Sequence, residues 1–266
     1  MSNKHGDFIW YELLTKDADA AQEFYTAVLG WSFSSAGQGD KDYRQFSING
    51  ANIGGVLPLT SGMVEGGARP CWLSYIGVDN VDRMAPAFVS AQGSVHMQPQ
   101  DIPGIGRFAL VADPQGAMFY LMTPTPRPDG GTSQSFAATE PLVGHCAWNE
   151  LATANPAAAL NFYHDLFGWE KDGEMDMGSL GKYEFLRHDF MIGAIMPKMP
   201  GMPVSMWTHY FRVSDIDAAV ATIKAHGGEV VQEPTEIPGG EFSMNAIDPQ
   251  GAAFALVGSR KSSRSR

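Results

Sequence analysis

The chain has 266 residues, and at about 150 residues per domain this length suggests two domains. Hydrophobic residues make up 44% of the chain, which is enough to build a core and excludes global disorder. The net charge of −11 argues against a nucleic-acid partner, because nucleic-acid-binding proteins carry clustered basic surfaces.

The cysteine content and the hydropathy pattern bear on location. Cys71 and Cys146 are too few for the disulfide framework of a small secreted protein. The first residues lack the apolar core of a signal peptide, and no apolar run approaches the roughly 20 residues of a membrane helix. We therefore expect a cytoplasmic protein with no membrane partner.

The first predicted elements are a strand, a helix and two short strands. Aromatic and aliphatic residues predict a strand over Phe8–Leu14. Asp17 is a suitable cap for the helix that follows, and Gly30 is a suitable residue to end it. Turn residues then separate short strands at 43–48 and 53–57.

The next elements begin with a strand at Cys71–Val78. A helix is predicted over 81–92, and Pro86 within it predicts a kink or a late start. The segment Asp113-Pro114-Gln115-Gly116 fits a type I turn before a final strand at 117–122.

The second half of the chain repeats the first. Phe8–Trp31 aligns with Cys146–Trp169 without a gap, so that Trp10 and Glu12 recur as Trp148 and Glu150. Later equivalences are Trp72 with Trp207, Tyr75 with Tyr210, and Asp113–Gly116 with Asp248–Gly251. An internal repeat of this length indicates a duplicated structural unit.

The second copy carries its own helix signals. Asn155-Pro156 supplies a cap and a first-turn proline, and Gly168 ends that helix. Ser214-x-x-Asp217 predicts a capping box for the last helix, which Gly227-Gly228 ends. The remaining predicted strands are 183–188, 191–196, 206–213 and 252–257.

This order of elements predicts an α+β fold of four βαβββ modules, two in each repeat. A segment rich in Pro, Gly, Ser and Thr separates the repeats and reads as an exposed connector. The predicted boundaries are a first domain at 5–125, a linker at 126–141, a second domain at 142–258 and a disordered basic tail at 259–266.

The repeated signature resembles a known family. Its motifs are Glu12…Phe24-Tyr25…Gly30-Trp31, the copy Glu150…Phe162-Tyr163…Gly168-Trp169, and two Asp-Pro-Gln-Gly turns. Together they resemble the vicinal oxygen chelate superfamily of glyoxalase I, extradiol dioxygenases and bleomycin-resistance proteins, over nearly all of residues 8–257. The paired form is similar to a two-domain glyoxalase-like subgroup. The resemblance implies two tandem glyoxalase-like half-barrel domains, each with a concave ligand cup.

The resemblance also implies where a metal would be held. Members of the superfamily usually bind a divalent metal through His, Gln and Glu side chains. The corresponding positions in the two repeats are Trp10 or Trp148, Leu73 or Thr208, and Tyr120 or Ala255. None of these six is a normal ligand, and no histidine of one repeat recurs in the other. We expect no metal and no other cofactor.

Strand alternation predicts the lining of each cup. If Trp10 and Trp148 face the cups, Glu12 and Glu150 face them too. The facing walls are predicted to carry Tyr75 and Tyr120 in the first repeat, and Thr208 and Tyr210 in the second. Each glutamate is a candidate catalytic base or ligand contact, while the aromatic residues and Thr208 are candidate ligand-binding groups. The glutamates fit a scaffold role equally well, and the tryptophans also fit core packing.

Three functions remain open at this stage. The favoured one is a bleomycin-resistance-like protein that binds a small planar organic ligand without the superfamily metal. The first alternative is a metal-dependent or Glu-based lyase, isomerase or dioxygenase-type enzyme. The second is a non-catalytic interaction or stress protein. In each case we expect a monomer or a homodimer.

Overall fold

The fold was determined as a computed structural model that describes residues 3–35, 42–126, 130–137 and 139–261. These residues form four modules, each with a strand, a helix and three further strands in that order, which confirms the predicted α+β class. Residues 127–129 and 138 of the predicted linker, and 262–266 of the predicted tail, lie outside the described residues.

The first repeat contains two modules. They comprise β1 (Phe8–Thr15), α1 (Ala18–Leu29), β2 (Ser32–Ser35), β3 (Arg44–Ile48), β4 (Ala51–Pro58), a short helix α2 (Ser61–Glu65), β5 (Cys71–Gly77), α3 (Val81–Ser90), β6 (Ser94–Ile102), β7 (Gly106–Ala112) and β8 (Met118–Pro124).

The second repeat follows the same order. It comprises β9 (Cys146–Thr153), α4 (Pro156–Phe167), β10 (Glu170–Asp176), β11 (Lys182–His188), β12 (Phe190–Pro197), β13 (Met206–Val213), α5 (Ile216–Ala225), β14 (Glu229–Glu236), β15 (Phe242–Ile247) and β16 (Ala253–Gly258).

The strands form two mixed sheets of eight strands. One sheet has the order β2-β3-β4-β1-β5-β8-β7-β6, and the other has the order β10-β11-β12-β9-β13-β16-β15-β14. Within every module the first strand pairs in parallel with the last one, and the intervening strands are antiparallel. This pattern repeats four times, as expected for βαβββ modules.

The predicted ends of α1 and α4 are confirmed. The Asp17 carboxylate accepts a hydrogen bond from the Ala20 N–H at 3.0 Å, and Asn155 caps α4 in the same way with Pro156 in its first turn. Gly30 and Gly168 end the helices with φ of 71° and 70°, a left-handed conformation that favours glycine.

Two helix starts differ from the predictions. The predicted capping box at Ser214 is wrong, because Asp215 is the capping residue and its side chain accepts from the Asp217 and Ala218 N–H groups. Helix α3 starts at Val81, directly after its cap Asn80, and contains Pro86. Of the two alternatives predicted from this proline, the late start is therefore wrong, and the kink stays a prediction.

The described residues group into two compact units, each of which takes one module from each repeat. The first unit contains the described residues of segments 1–10, 73–133 and 148–208, and the second contains those of segments 11–72, 134–147 and 209–266. Each unit therefore packs its core from segments that are far apart in the chain.

A hydrogen-bonded relay stabilises the core of the first unit. The Asp113 carboxylate accepts from the backbone N–H groups of Gln115 and Ala117 at 2.8 and 2.9 Å. It also accepts from the Tyr163 hydroxyl at 3.0 Å, and the Trp207 indole donates to that hydroxyl at 3.1 Å. Burial and the Asp113 charge hold the pKa of Tyr163 well above 10, so the hydroxyl keeps its proton and donates it.

The second unit contains the same relay. Tyr25 donates to Asp248 at 3.0 Å and accepts from the Trp72 indole at 3.0 Å. In each unit the tyrosine lies on a helix of one repeat and the aspartate lies in the Asp-Pro-Gln-Gly turn of the other. We call this arrangement the Trp–Tyr–Asp relay.

One further tryptophan reinforces each relay. Trp169 stacks on Tyr163 at 5.2 Å and donates its indole N–H to the Gly6 carbonyl at 3.0 Å. Trp31 stacks on Tyr25 at 5.6 Å and donates to the Gly144 carbonyl at 2.8 Å. Trp31 and Trp169, which end the repeated signature, are therefore core residues.

None of the helices in the described part of the chain combines the length and the apolar character needed to cross a membrane.

The relay predicts that Tyr163→Phe and Tyr25→Phe each destabilise the fold. Each change leaves a buried carboxylate oxygen and a buried indole N–H without their shared partner. We expect a loss of about 1–3 kcal/mol in the free energy of unfolding, measured by urea denaturation with the slope m unchanged. Val89→Ala on α3 is the control, because Val89 is exposed. Stability equal to wild type in both relay variants would contradict this role.

The burial of His209 predicts that acid destabilises the fold. It is 1% exposed on β13, and its ring lies 4.8 Å from that of Tyr11 in the second unit. Burial lowers its pKa from 6.5 to about 3. Between these two pH values the histidine of the unfolded chain binds a proton, and that of the folded chain does not. Stability should fall as the pH decreases from 6.5 towards 3, by about 2 kcal/mol at pH 5.

The matched variant is His209→Leu, which removes the titrating group. Burial raises the pKa of Asp113 and Asp248, and these groups act in the opposite direction because their folded forms bind protons more readily. The difference in pH dependence between wild type and variant therefore isolates His209. Parallel stability curves from pH 7 to pH 4 would show that His209 is not the acid-sensitive group.

Candidate functional site

Three neighbouring strands place a group of aromatic and acidic side chains on one face of the second repeat. Glu150 of β9 and Phe185 of β11 both pair with Ala194 of β12. Directly paired residues point to the same side of a sheet, as do residues two apart on a strand. Trp148 and Tyr183 therefore share this side. We call Trp148, Glu150, Tyr183 and Phe185 the second-repeat face.

A chain of hydrogen bonds orders this face. The Trp148 indole N–H donates to the Tyr183 hydroxyl at 2.7 Å, and that hydroxyl donates to the Glu150 carboxylate at 2.7 Å. The Phe185 ring meets those of Trp148 and Tyr183 edge-on, at 6.2 and 5.6 Å. All four side chains are half-buried. The face thus combines accessible rings with a carboxylate fixed in one orientation.

The first repeat carries the same residue types in a more enclosed setting. Glu12 of β1 pairs with Gly55 of β4, and Tyr43 lies so close to Gly55 that a Cβ there would come within 2.0 Å of the hydroxyl. Gly55 thus permits the close approach of Tyr43, the counterpart of Tyr183. Glu12 is only 2% exposed. Its carboxylate is far less accessible than that of Glu150.

The thiol of Cys71 reports on Glu12. Burial first, and then the negative charge of Glu12, raise the pKa of Cys71 from 9.0 to about 11. The structure leaves both Cys71 and Cys146 as free thiols. A thiol with so high a pKa is a poor nucleophile at neutral pH.

The other predicted site residues differ in their burial and in their contacts. Tyr75 and Tyr120 stack on each other at 4.4 Å and are 5% and 3% exposed, so they form a packed pair. Tyr210 is also buried, whereas Trp10 and Thr208 are half-buried on β1 and β13. Of the predicted site residues, the structure links Trp148 to Glu150 through the Tyr183 hydroxyl, and it stacks Tyr75 on Tyr120.

Tyr183 and Tyr43 were not predicted as site residues. Each stands at or just before the start of the third strand of its module, at equivalent positions in the two repeats. The recurrence of a tyrosine at this position in both repeats was the sequence signal that could have identified them. Alternation along the strand then places Tyr183 on the same side as Phe185.

Comparison with known proteins identifies the family. The sequence profile of the Glyoxalase/Bleomycin resistance protein/Dioxygenase superfamily matches residues 8–121 and 142–256. The two matches cover both repeats and most of the chain. This protein belongs to that superfamily, as the repeated signature indicated.

Two relatives extend over nearly the whole chain. A Mycobacterium tuberculosis protein named "Putative glyoxylase CFP32" is 36% identical over 253 residues, which is 93% of each chain. The "Anthracycline biosynthesis protein DnrV" of Streptomyces peucetius is 29% identical over 262 residues, covering 93% of this chain and 91% of the relative.

Solved structures share the fold at low sequence identity. The Mn(II)-bound glyoxalase from Novosphingobium aromaticivorans superimposes with a TM-score of 0.64 at 18% identity, covering 97% of this chain and 83% of the other. The 2,2',3-trihydroxybiphenyl 1,2-dioxygenase from Sphingomonas wittichii gives a TM-score of 0.65 at 16% identity, covering 95% and 90%. These likenesses establish the architecture.

The side chains at the positions that the sequence resemblance assigns to the superfamily metal do not fit a divalent cation. An indole N–H has no lone pair to offer, and that of Trp148 donates its hydrogen to Tyr183. Leu73 and Ala255 have no donor atom, and Thr208 is a weak neutral one. Among the residues that the structure describes, no three His, Cys, Asp or Glu side chains are grouped as a metal site requires.

The setting of Cys71 gives a test of the charge on Glu12. Glu12→Gln removes the negative charge that helps to raise the thiol pKa, so the thiolate fraction of Cys71 should increase. We expect alkylation of Cys71 by iodoacetamide at pH 8.5 to become several-fold faster, as followed by mass spectrometry of the labelled peptide. Cys146, which is fully buried, is the internal control. An unchanged rate would show that Glu12 does not act on this thiol.

Proposed function

We propose that this protein binds a small planar organic molecule on the second-repeat face, without the superfamily metal. The observation that carries the proposal is the hydrogen-bonded chain from Trp148 through Tyr183 to Glu150, on a half-buried surface with Phe185 beside it. Rings contact a planar body, and a fixed carboxylate accepts hydrogen bonds from hydroxyl or cationic groups on it.

The order of donors and acceptors supports a recognition role. The Tyr183 hydroxyl gives its proton to Glu150 and receives the indole proton of Trp148, so both aromatic groups support the carboxylate. A carboxylate has about four acceptor sites and can therefore accept more than one hydrogen bond at a time. Because Glu150 is already held in place, little side-chain entropy is lost when a ligand binds.

Exposure favours the second repeat over the first. Glu150 is half-buried and Glu12 is 2% exposed. In the first repeat Tyr75 and Tyr120 also fill their face with a stacked pair. The carboxylate of Glu150 is therefore the more accessible of the two.

The names of the relatives agree with a small organic ligand. One relative is named for anthracycline biosynthesis, and anthracyclines are planar fused-ring molecules that carry hydroxyl groups. The other is named a glyoxylase, which favours an enzyme as the second candidate function. In that case Glu150 serves as the general base, because it is the accessible carboxylate of the repeated pair.

An anthracycline titration followed by calorimetry tests the binding proposal. Trp148→Phe should weaken binding about 2–10-fold through loss of ring contact. Glu150→Gln should weaken it by about tenfold or more, because hydrogen bonds to a charged group are the stronger kind. Both effects follow from a ligand that lies on the second-repeat face.

The matched variants are Trp10→Phe and Glu12→Gln in the first repeat. Binding that is lost in these variants but kept in Trp148→Phe and Glu150→Gln would place the ligand on the first repeat and contradict the proposal. Turnover in a glyoxalase assay that Glu150→Gln abolishes would instead establish the enzymatic candidate.

A further inference from the structure

One connection of the second repeat contains the dipeptide Met-Pro three times. It leads from the end of β12 to the start of β13 and spans residues 196–206, with methionines at Met196, Met199, Met202 and Met206. Four of the 14 methionines of the chain therefore lie within this short segment. We call residues 196–206 the Met-Pro loop. All of its residues belong to the first compact unit.

A type II turn brings two of these methionines close together. The Met202 N–H donates to the Met199 carbonyl at 3.1 Å, which closes the turn. Pro200 and Gly201 are its central residues, and Gly201 has a φ of 90°, as the third residue of a type II turn requires. The first and last residues of such a turn have Cα atoms within about 7 Å of each other. The flexible thioether side chains of Met199 and Met202 therefore start from neighbouring points.

Hydrogen bonds to Thr153, at the end of β9, hold both ends of the loop. The Lys198 N–H donates to the Thr153 carbonyl at 2.9 Å, and the Ser205 hydroxyl lies 3.3 Å from the buried Thr153 hydroxyl. The Lys198 ammonium also donates to the Pro203 carbonyl at 3.4 Å, across the loop. Met206 directly follows Ser205, so a third methionine lies at an anchored end of the loop.

Core packing does not account for these methionines. Met199 is 44% exposed, and Met202 and Met206 are half-buried. The corresponding connection of the first repeat, between β4 and β5, contains a single methionine, Met63. Accessible positions that carry methionine in one copy alone are not dictated by the fold.

The chemistry of the Met-Pro loop suits a soft metal ion. Thioether sulfur is neutral and polarisable, and it selects Cu(I), whereas hard cations prefer oxygen ligands. Residues 196–206 contain no carboxylate, imidazole or thiol, and Lys198 adds a positive charge. A hard or divalent cation such as Mg²⁺ or Zn²⁺ therefore has no suitable ligand among these side chains.

We propose that the Met-Pro loop binds the soft monovalent ion Cu(I) through the thioethers of Met199, Met202 and Met206. The turn supplies the first two ligands, and the end anchored through Ser205 supplies the third. Prolines restrict the backbone of the loop before the ion binds, so little conformational entropy is lost on binding. The site uses none of the positions assigned to the superfamily metal, and it does not depend on the proposed ligand of the second-repeat face.

A titration with Ag(I) tests which methionines bind the ion. Ag(I) shares the d¹⁰ configuration of Cu(I) and is not oxidised by air. In NMR spectra of the full chain labelled with carbon-13 at its methionine methyl groups, the signals of Met199, Met202 and Met206 should shift and saturate at one ion per chain. The signals of Met63 and Met175 should stay unchanged.

The free cysteines require a separate control. Thiolates also bind Cu(I) and Ag(I), so every protein compared carries Cys71→Ala, while Cys146 is fully buried. Zn²⁺ added in place of Ag(I) should leave all the methionine signals of the loop unchanged.

Competition with the Cu(I) chelator bathocuproine disulfonate measures the affinity for Cu(I). Met199→Leu should weaken binding roughly tenfold, and the double variant Met199→Leu/Met202→Leu should weaken it roughly a hundredfold. Leucine has nearly the volume of methionine, so the Tm of the ion-free variants should equal that of the parent protein. Met63→Leu is the matched control in the first repeat and should leave the affinity unchanged.

Several outcomes would overturn the proposal. Methyl shifts confined to methionines outside the loop would place the ion elsewhere, and this result needs no change in the loop itself. An affinity for Cu(I) that the double variant retains would show that the two turn thioethers are not ligands. Equal shifts with Zn²⁺ would refute the selectivity for soft ions, and saturation at one ion per two chains would refute a site within one loop.

Discussion

The Trp–Tyr–Asp relay is the interaction on which the arrangement of the chain depends. Each buried aspartate has its charge distributed over two backbone N–H groups and one tyrosine hydroxyl, which is how a carboxylate is accommodated in a core. The tyrosine and the aspartate come from different repeats, so the contact forms only when both repeats are present. Asp113 and Asp248 therefore do more than start a turn: they connect the turn to the helix of the other repeat.

Duplication separates what maintains the fold from what differs between the repeats. The relays, the Gly-Trp helix ends and the parallel pairing of first and last strands occur twice with the same residue types. The sheet faces differ between the repeats, because Tyr120 corresponds to Ala255 and Leu110 corresponds to Asn245. Because both copies must satisfy the same folding constraints, a residue that is polar in one copy and apolar in the other is not dictated by the fold.

The sequence predicted the modules well because their signals are local. Asp17, Asn155 and the two helix-ending glycines act within one turn of the helix that they delimit. Tyr183 was missed because the spacing between equivalent residues changes from strand to strand, so the gapless alignment of the first block does not extend to it. The Asp113–Tyr163 contact joins residues that no local pattern connects. No local pattern shows the setting of Asn245 on β15 either. Its side-chain oxygen is buried without a hydrogen bond, which depends on strand register and burial together.

The chemistry of the second-repeat face follows from the direction of its hydrogen bonds. In a chelating site several side-chain lone pairs point at a metal cation, so the group that a ligand meets there is positive. Here Trp148, at the position that the sequence resemblance assigns to the first superfamily ligand, turns an N–H towards Tyr183. The proton of Tyr183 points on to Glu150, which leaves a carboxylate at the end of the chain. A ligand bound as we propose would therefore meet a carboxylate that accepts hydrogen bonds, and the complementary ligand would supply O–H or N–H groups on a flat ring.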